Sequence, residues 1–187
     1  MANEKKLDSV ILGLLSHEEL TGYEIKKRMD ASLGYFWGAS YGSIYPTLRA
    51  LAEDGYTESC GVEEGVRAKQ RFRITDKGRE KLKEWLSEPA EKDEIRYETL
   101  LKIFFGSEGG TLNALRHIER FRMKTEQRLE ELKLYERVLS EAPEEDFEDR
   151  SHMHYLMTVR FGVRTYEAYI AWCDEAELML TGRENKL

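Results

Sequence analysis

Cysteine appears only twice, at Cys60 and Cys173, too few and too far apart for a disulfide framework or a metal-binding cluster. That scarcity points to a reducing compartment. Histidine is sparse as well, with four residues in 187. His152 and His154 stand two apart, which puts them on different faces of a helix, and His117 lies elsewhere. A metal site there would need an extended segment. No phosphate-binding loop, dinucleotide fingerprint or nucleophile elbow occurs. The many carboxylates sit at solvent-face spacing, with no pair placed for acid–base work. These absences argue against an enzyme and imply no cofactor. Proline occurs three times, which favours a mainly helical chain. The apolar run Val10–Leu15 is too short for a membrane span, and no small-residue cleavage site follows it. A cytoplasmic protein is expected.

What the chain does have is charge. Charged residues make up 35% of it, and the net charge is -7. Such a total suits long surface helices, and at first sight it opposes nucleic-acid binding. The distribution is uneven. Residues 1–88 hold 14 basic and 15 acidic side chains, and residues 89–187 hold 15 and 21. Between Cys60 and Lys83 the balance reverses, with eight basic against four acidic. A local patch, not the total, is what meets phosphate.

Apolar periodicity defines the elements of the first half. Leu7, Val10, Ile11, Leu14 and Leu15 recur at helical spacing, so a first helix is expected over Leu7–Ser16. Thr21 and Glu24 form a T-x-x-E capping box that starts a second helix at Gly22, with Ile25 and Met29 inward. Tyr35, Phe36 and Trp37 form an aromatic loop that packs on the core, the alternative being that it lines a ligand pocket. A third helix carries Ile44, Leu48 and Leu51, begins at Ser40 or Ser43, holds Pro46 near its first turn and stops at Gly55. Tyr56–Cys60 and Lys69–Thr75 read as two strands around a glycine-containing tip, with Phe72 and Ile74 facing inward. Thr75 and Asp76 then cap a fourth helix expected to bury Leu82, Trp85 and Leu86.

The polar break from Pro89 to Asp93 marks a boundary between domains at 1–88 and 89–187. Beyond it come a short apolar helix over Tyr97–Phe105, a turn at Ser107–Gly110 and a long helix over Thr111–Ser140. An acidic loop at Pro143–Asp149 leads to a last helix over His152–Leu180. Leu156, Val159, Val163, Tyr166, Ile170 and Cys173 alternate three and four apart along that helix, a coiled-coil seam expected to be a dimer interface. Tyr155, Phe161, Tyr169 and Trp172 form a second row, free to pack on a helix or to line a small-molecule site.

The expected fold is therefore mainly α: a winged helix-turn-helix with a two-stranded wing, followed by a helical dimerisation domain. In that fold the third helix lies in the major groove and the hairpin reaches an adjacent groove or the backbone. The start of the third helix is rich in donors, including Tyr41, Ser43, Tyr45 and Arg49, and Gly42 would allow close approach of a DNA backbone. On the wing, Arg67, Lys69, Gln70 and Arg71 are candidates for phosphate or minor-groove contacts.

These residues resemble a known family. Thr21-Gly22-Tyr23-Glu24-Ile25, Tyr41-Gly42-Ser43-Ile44-Tyr45-Pro46-Thr47-Leu48, Leu51 through Gly55-Tyr56, and Phe72-Arg73-Ile74-Thr75 with Lys77-Gly78 together look like the PadR family of bacterial transcriptional regulators. The second half resembles the helical domain of the subfamily with a long, virulence-activator-like C-terminal region. The resemblance implies a homodimer on a two-fold-related DNA operator, usually as a repressor. It assigns DNA contacts to Tyr41, Gly42, Ser43, Tyr45, Pro46 and Arg49 and to Lys69 and Arg71 of the wing, with Tyr23 and Lys26 touching the backbone. Family wings often read Arg-Lys-Tyr-Tyr or Arg-Lys-Val-Tyr before the Ile-Thr. Here the run is Lys69-Gln70-Arg71-Phe72, so the cation is displaced by one residue and which wing residue faces DNA stays open. A small-molecule effector is conceivable by the same analogy. The competing reading is a winged helix that binds a partner protein instead of an operator.

Overall fold

The computed structural model describes residues 2–63, 69–90, 97–142 and 151–182. The hairpin tip with Arg67, most of the polar break and the acidic loop fall outside them. The elements run α1 Ala2–Leu15, β1 Leu20–Thr21, α2 Gly22–Ser32, α3 Tyr41–Glu53, β2 Thr57–Glu63, β3 Lys69–Ile74 and α4 Asp76–Ser87. They continue as α5 Glu98–Phe104, α6 Gly106–Gly109, α7 Thr111–Glu141 and α8 Ser151–Thr181. Two compact units result, residues 1–93 and 94–187.

In the first unit, α1, α2 and α3 bury one cluster formed by Leu7, Ile11, Leu12, Leu15, Ile25, Met29, Ile44, Leu48 and Leu51, closed by Leu20 and Ile74. α1 begins earlier than the apolar stripe, because Ala, Glu and Lys continue a helix without needing a core behind them. The capping box forms as expected: the Glu24 amide donates to Thr21 Oγ1 at 3.2 Å, and the Thr21 amide donates to the Glu24 carboxylate at 2.8 Å. α3 ends in a Schellman closure. Gly55 takes φ +73°, its amide donates to the Ala52 carbonyl at 3.1 Å, and the Tyr56 amide donates to Leu51 at 2.8 Å.

The sheet has three strands in the order β1-β3-β2, all antiparallel, not the two expected. β1 is two residues long, too short to show alternation in a sequence. β2 and β3 pair from Thr57↔Ile74 to Glu63↔Lys69, with a bulge at Cys60 between Ser59 and Gly61. On α4, Thr75 Oγ1 caps the Gly78 amide at 3.1 Å. Leu82 packs against the core, but Trp85 and Leu86 are 38% and 66% exposed. The apolar stripe of α4 thus runs on beyond the core cluster, a correction to the expected burial of both.

In the second unit, α7 and α8 form an antiparallel pair. Ala114, Ile118, Thr125, Leu129 and Leu132 of α7 are buried, as are Leu156, Val159, Val163 and Cys173 of α8. Ion pairs cross the hairpin from Arg122 to Asp174 at 2.7 Å, Lys133 to Glu167 at 3.3 Å and Arg160 to Glu136 at 3.0 Å. This corrects the expected dimer seam. Leu156, Val159, Val163 and Cys173 are covered within one chain, and Tyr166 and Ile170 are half-buried in it. Alternating three-four spacing marks a helix–helix seam without saying whose helix fills it.

Tyr97, at the start of α5, meets Phe121 and Tyr169 edge-on, and Phe121 also meets Trp172. The Tyr97 and Tyr169 hydroxyls are hydrogen-bonded. Burial and that bond push the Tyr97 pKa well above the ordinary tyrosine value of 10.0. Burial raises Tyr166 as well. A raised folded value means the folded state keeps a proton that the unfolded chain releases. The contribution is whole below about pH 10 and is lost as the pH climbs from there toward the folded value. The urea midpoint is therefore expected to fall as the pH rises above about 10, less steeply for Tyr97→Phe. Equal alkaline sensitivity in parent and variant would refute this.

Candidate nucleic-acid interface

α3 starts at Tyr41 with Ser40 as its N-terminal flanking residue, in extended conformation (φ -86°, ψ 159°) and without a side-chain cap. Instead the Ser43 hydroxyl donates back to the Ser40 carbonyl at 2.9 Å, and the Thr47 hydroxyl to the Ser43 carbonyl at 2.8 Å. The first amides of the helix thus lack a side-chain acceptor, which leaves them available to an anion. Pro46 falls in the second turn, not the first. Having no N–H, it donates nothing to the Gly42 carbonyl.

Register then sorts the candidates. Ile44, Leu48 and Leu51 are buried, while Tyr41, Gly42, Tyr45, Pro46 and Arg49 are all exposed. Those five positions, spaced 1, 4, 5 and 8 from the first, form one stripe on a helix. α2 extends it. The Tyr23 ring stacks on Tyr41 (centroids 6.4 Å apart, planes at 12°), and Tyr41 on Tyr45 (6.4 Å, 23°). Lys26 Nζ stands 5.7 Å from the Tyr41 centroid and pairs with Asp30. So Tyr23, Lys26, Tyr41, Tyr45 and Arg49 come together on one surface, with Ser43 half-buried at its edge. A β-carbon on Gly42 would meet only Ser40 Oγ at 3.5 Å, so nothing inside the chain requires glycine there. Lys27 is exposed one turn after Tyr23 on α2.

The basic run fares differently. Arg73 pairs with Glu58 at 2.9 Å, Lys81 with Asp8 at 3.5 Å and Lys83 with Glu80 at 2.7 Å. Lys77 donates to the Asp54 carbonyl at 2.7 Å and Arg79 to Ser16 at 3.3 Å. Lys77 and Lys81 also lie over the Tyr56 ring, at 4.6 and 4.1 Å. Arg71 stands 3.6 Å from Glu24 and donates to the Glu19 carbonyl. Six of the eight cations expected to form a phosphate patch therefore have partners in the chain. Of the other wing candidates, Gln70 is exposed, Arg67 lies outside the described residues and so does the side chain of Lys69. Cys60 is half-buried at the bulge, its thiol pKa raised by burial and by Glu19. Among the described residues no group of three His, Cys, Asp or Glu side chains is placed to hold a metal, and no helix is long and apolar enough to cross a membrane.

Three packed helices, a hairpin wing and a helical second unit define a winged helix-turn-helix transcription regulator. Comparison with known proteins points the same way. Residues 11–84 match the transcriptional regulator PadR-like family and residues 95–181 the virulence activator alpha C-terminal domain. The first unit thus carries a PadR-like regulator domain and the second a virulence activator alpha C-terminal domain. It is 28% identical to the negative transcriptional regulator PadR of Bacillus subtilis over 177 residues, 93% of this chain and 97% of that one. The crystal structure of that protein with operator DNA superposes with a TM-score of 0.75 at 27% identity, covering 93% of this chain and 98% of that one. The same protein has also been solved with p-coumaric acid. A PadR-like regulator from Bacillus cereus gives 0.76 at 27% identity, with 95% and 99% covered. The Vibrio cholerae virulence activator AphA gives 0.70 at 27% identity, also with 95% and 99% covered.

Proposed function

We propose that this chain is a cytoplasmic homodimer that binds a DNA operator sequence-specifically and acts as a repressor. The observation that carries the reading is the exposed stripe Tyr41, Gly42, Tyr45, Pro46 and Arg49, widened by Tyr23 and Lys26. In the major groove that stripe faces base edges, while Tyr23 and Lys26 face the backbone. The wing, with Arg67, Lys69 and Gln70, follows the backbone or the adjacent minor groove. The operator complex of the Bacillus subtilis relative supports DNA binding as such. Two such units about one helical turn apart, roughly 34 Å, match successive major grooves. Dimerisation then uses surface left open in one chain, such as Met153, Met157 and Phe161, which recur every fourth residue of α8 and are exposed. A small effector would release DNA by binding one dimer spacing better than the other. The p-coumaric acid complex of the relative makes aromatic acids the first class to try.

The second reading, a module for a protein partner, draws on the six occupied cations and the net charge of -7. A gel-shift titration of the purified protein against the DNA upstream of its own gene, at two salt concentrations, separates the two. Retardation that weakens steeply with salt is expected, because each neutralised phosphate releases a counterion. No retardation at low salt, and no genomic fragment captured in a pull-down, would sink the operator reading.

A further inference from the structure

The first turn of α2 touches both elements that the proposed reading puts on DNA. Gly22 lies under Tyr45: a β-carbon there would come within 2.6 Å of the ring, so a larger residue would unseat it. Tyr23 stacks on Tyr41. Thr21 pairs with Arg71 in the β1–β3 ladder. The Glu24 oxygen that accepts from the Thr21 amide stands 3.6 Å from the Arg71 guanidinium, which also donates to the Glu19 carbonyl. We infer that Thr21–Glu24 sets the recognition helix against the wing, and that Arg71 is a positioning residue in this turn and not a phosphate contact. The inference rests on the reading of α3 and the hairpin as the DNA-facing elements.

The chemistry favours this assignment. A guanidinium is a rigid fork of donors, suited to hold two acceptors at once. Here the acceptors belong to Glu24 and to the residue just before β1, so one side chain ties β3 to both. The bulge at Cys60 faces Arg71 across the ladder, through the Gly61↔Arg71 pair. Bulges bend a strand and re-aim the side chains beside them. A partly exposed ion pair adds little stability, so orientation is what this one supplies.

The test is operator binding by the full chain, followed by fluorescence anisotropy across a salt series. Arg71→Ala is expected to weaken binding roughly ten-fold, the size of a coupling between contacting groups, with the salt slope unchanged. Arg71→Lys keeps the charge without the fork and is expected not to rescue. Glu24→Gln keeps a capping box and removes a negative charge, so electrostatics alone would strengthen binding. Positioning predicts a loss instead, and a double variant no weaker than either single one. A slope that falls by about one in Arg71→Ala would mark a phosphate contact and overturn the inference. Additive losses, or unchanged affinity in both single variants, would overturn it too. If Arg71→Ala does not fold, the sign of the Glu24→Gln effect decides. No binding by the parent protein would sink the DNA-binding reading, and this inference with it.

Discussion

Gly78→Ala is expected to destabilise the protein by about 3 kcal/mol, the upper part of the range for forcing extra volume into packed structure. A β-carbon at this position would lie 2.1 Å from the Tyr56 carbonyl oxygen and 2.8 Å from Ile74 Cγ1. The carbonyl is the harder obstacle, because backbone cannot swing aside. It also accepts the Thr75 amide at 3.1 Å. Thr75 in turn accepts from the Gly78 amide at 3.1 Å and donates to the Gly55 carbonyl at 2.8 Å. Moving Tyr56 therefore strains the start of α4 and the end of α3 together. The sign makes the test sharp. At an unobstructed helical position, glycine to alanine stabilises by roughly 0.5–1 kcal/mol. A lower urea midpoint with an unchanged m value is the expected result. A variant as stable as the parent, or more so, would show that the helix does not pass this close to Tyr56.

The same residues show what the sequence could and could not reveal. The capping box at Thr21 and Glu24 and the stop at Gly55 were legible because each is a local device whose geometry lies within a few residues. The inward positions Ile44, Leu48 and Leu51 followed from period alone, and the outward stripe of α3 followed from them. Charge was ambiguous, since a run of cations reads the same whether it faces phosphate or fastens α4 to its neighbours. Asp8, Ser16 and Asp54, which receive Lys81, Arg79 and Lys77, lie far away in sequence. Four residues of the α8 seam, Leu156, Val159, Val163 and Cys173, are buried within the chain, because spacing encodes a stripe and not the molecule that covers it. β1 has no signal of its own: Leu20 and Thr21 become a strand only once β3 is beside them.

Arg49→Ala is expected to reduce the preference for operator over unrelated DNA by roughly ten- to a hundred-fold, while binding to unrelated DNA changes much less. Arg49 differs from the six partnered cations. It is exposed, it lies on the stripe with Tyr41 and Tyr45, and it has no hydrogen-bonding or ionic partner among the described residues. An unengaged guanidinium beside a helix in the major groove can take the O6 and N7 acceptors of guanine together, a pairing no other base offers. Its neighbours on the stripe are aromatic or apolar and suit thymine methyl groups, so Arg49 is the charged reader of the set. Competition binding with operator and scrambled duplexes at one salt concentration measures the ratio. A loss of equal size on both duplexes, with a salt slope smaller by about one, would make Arg49 a phosphate contact. An unchanged ratio with unchanged affinity would place the far end of α3 clear of the groove and confine base reading to its first turn, around Tyr41 and Gly42.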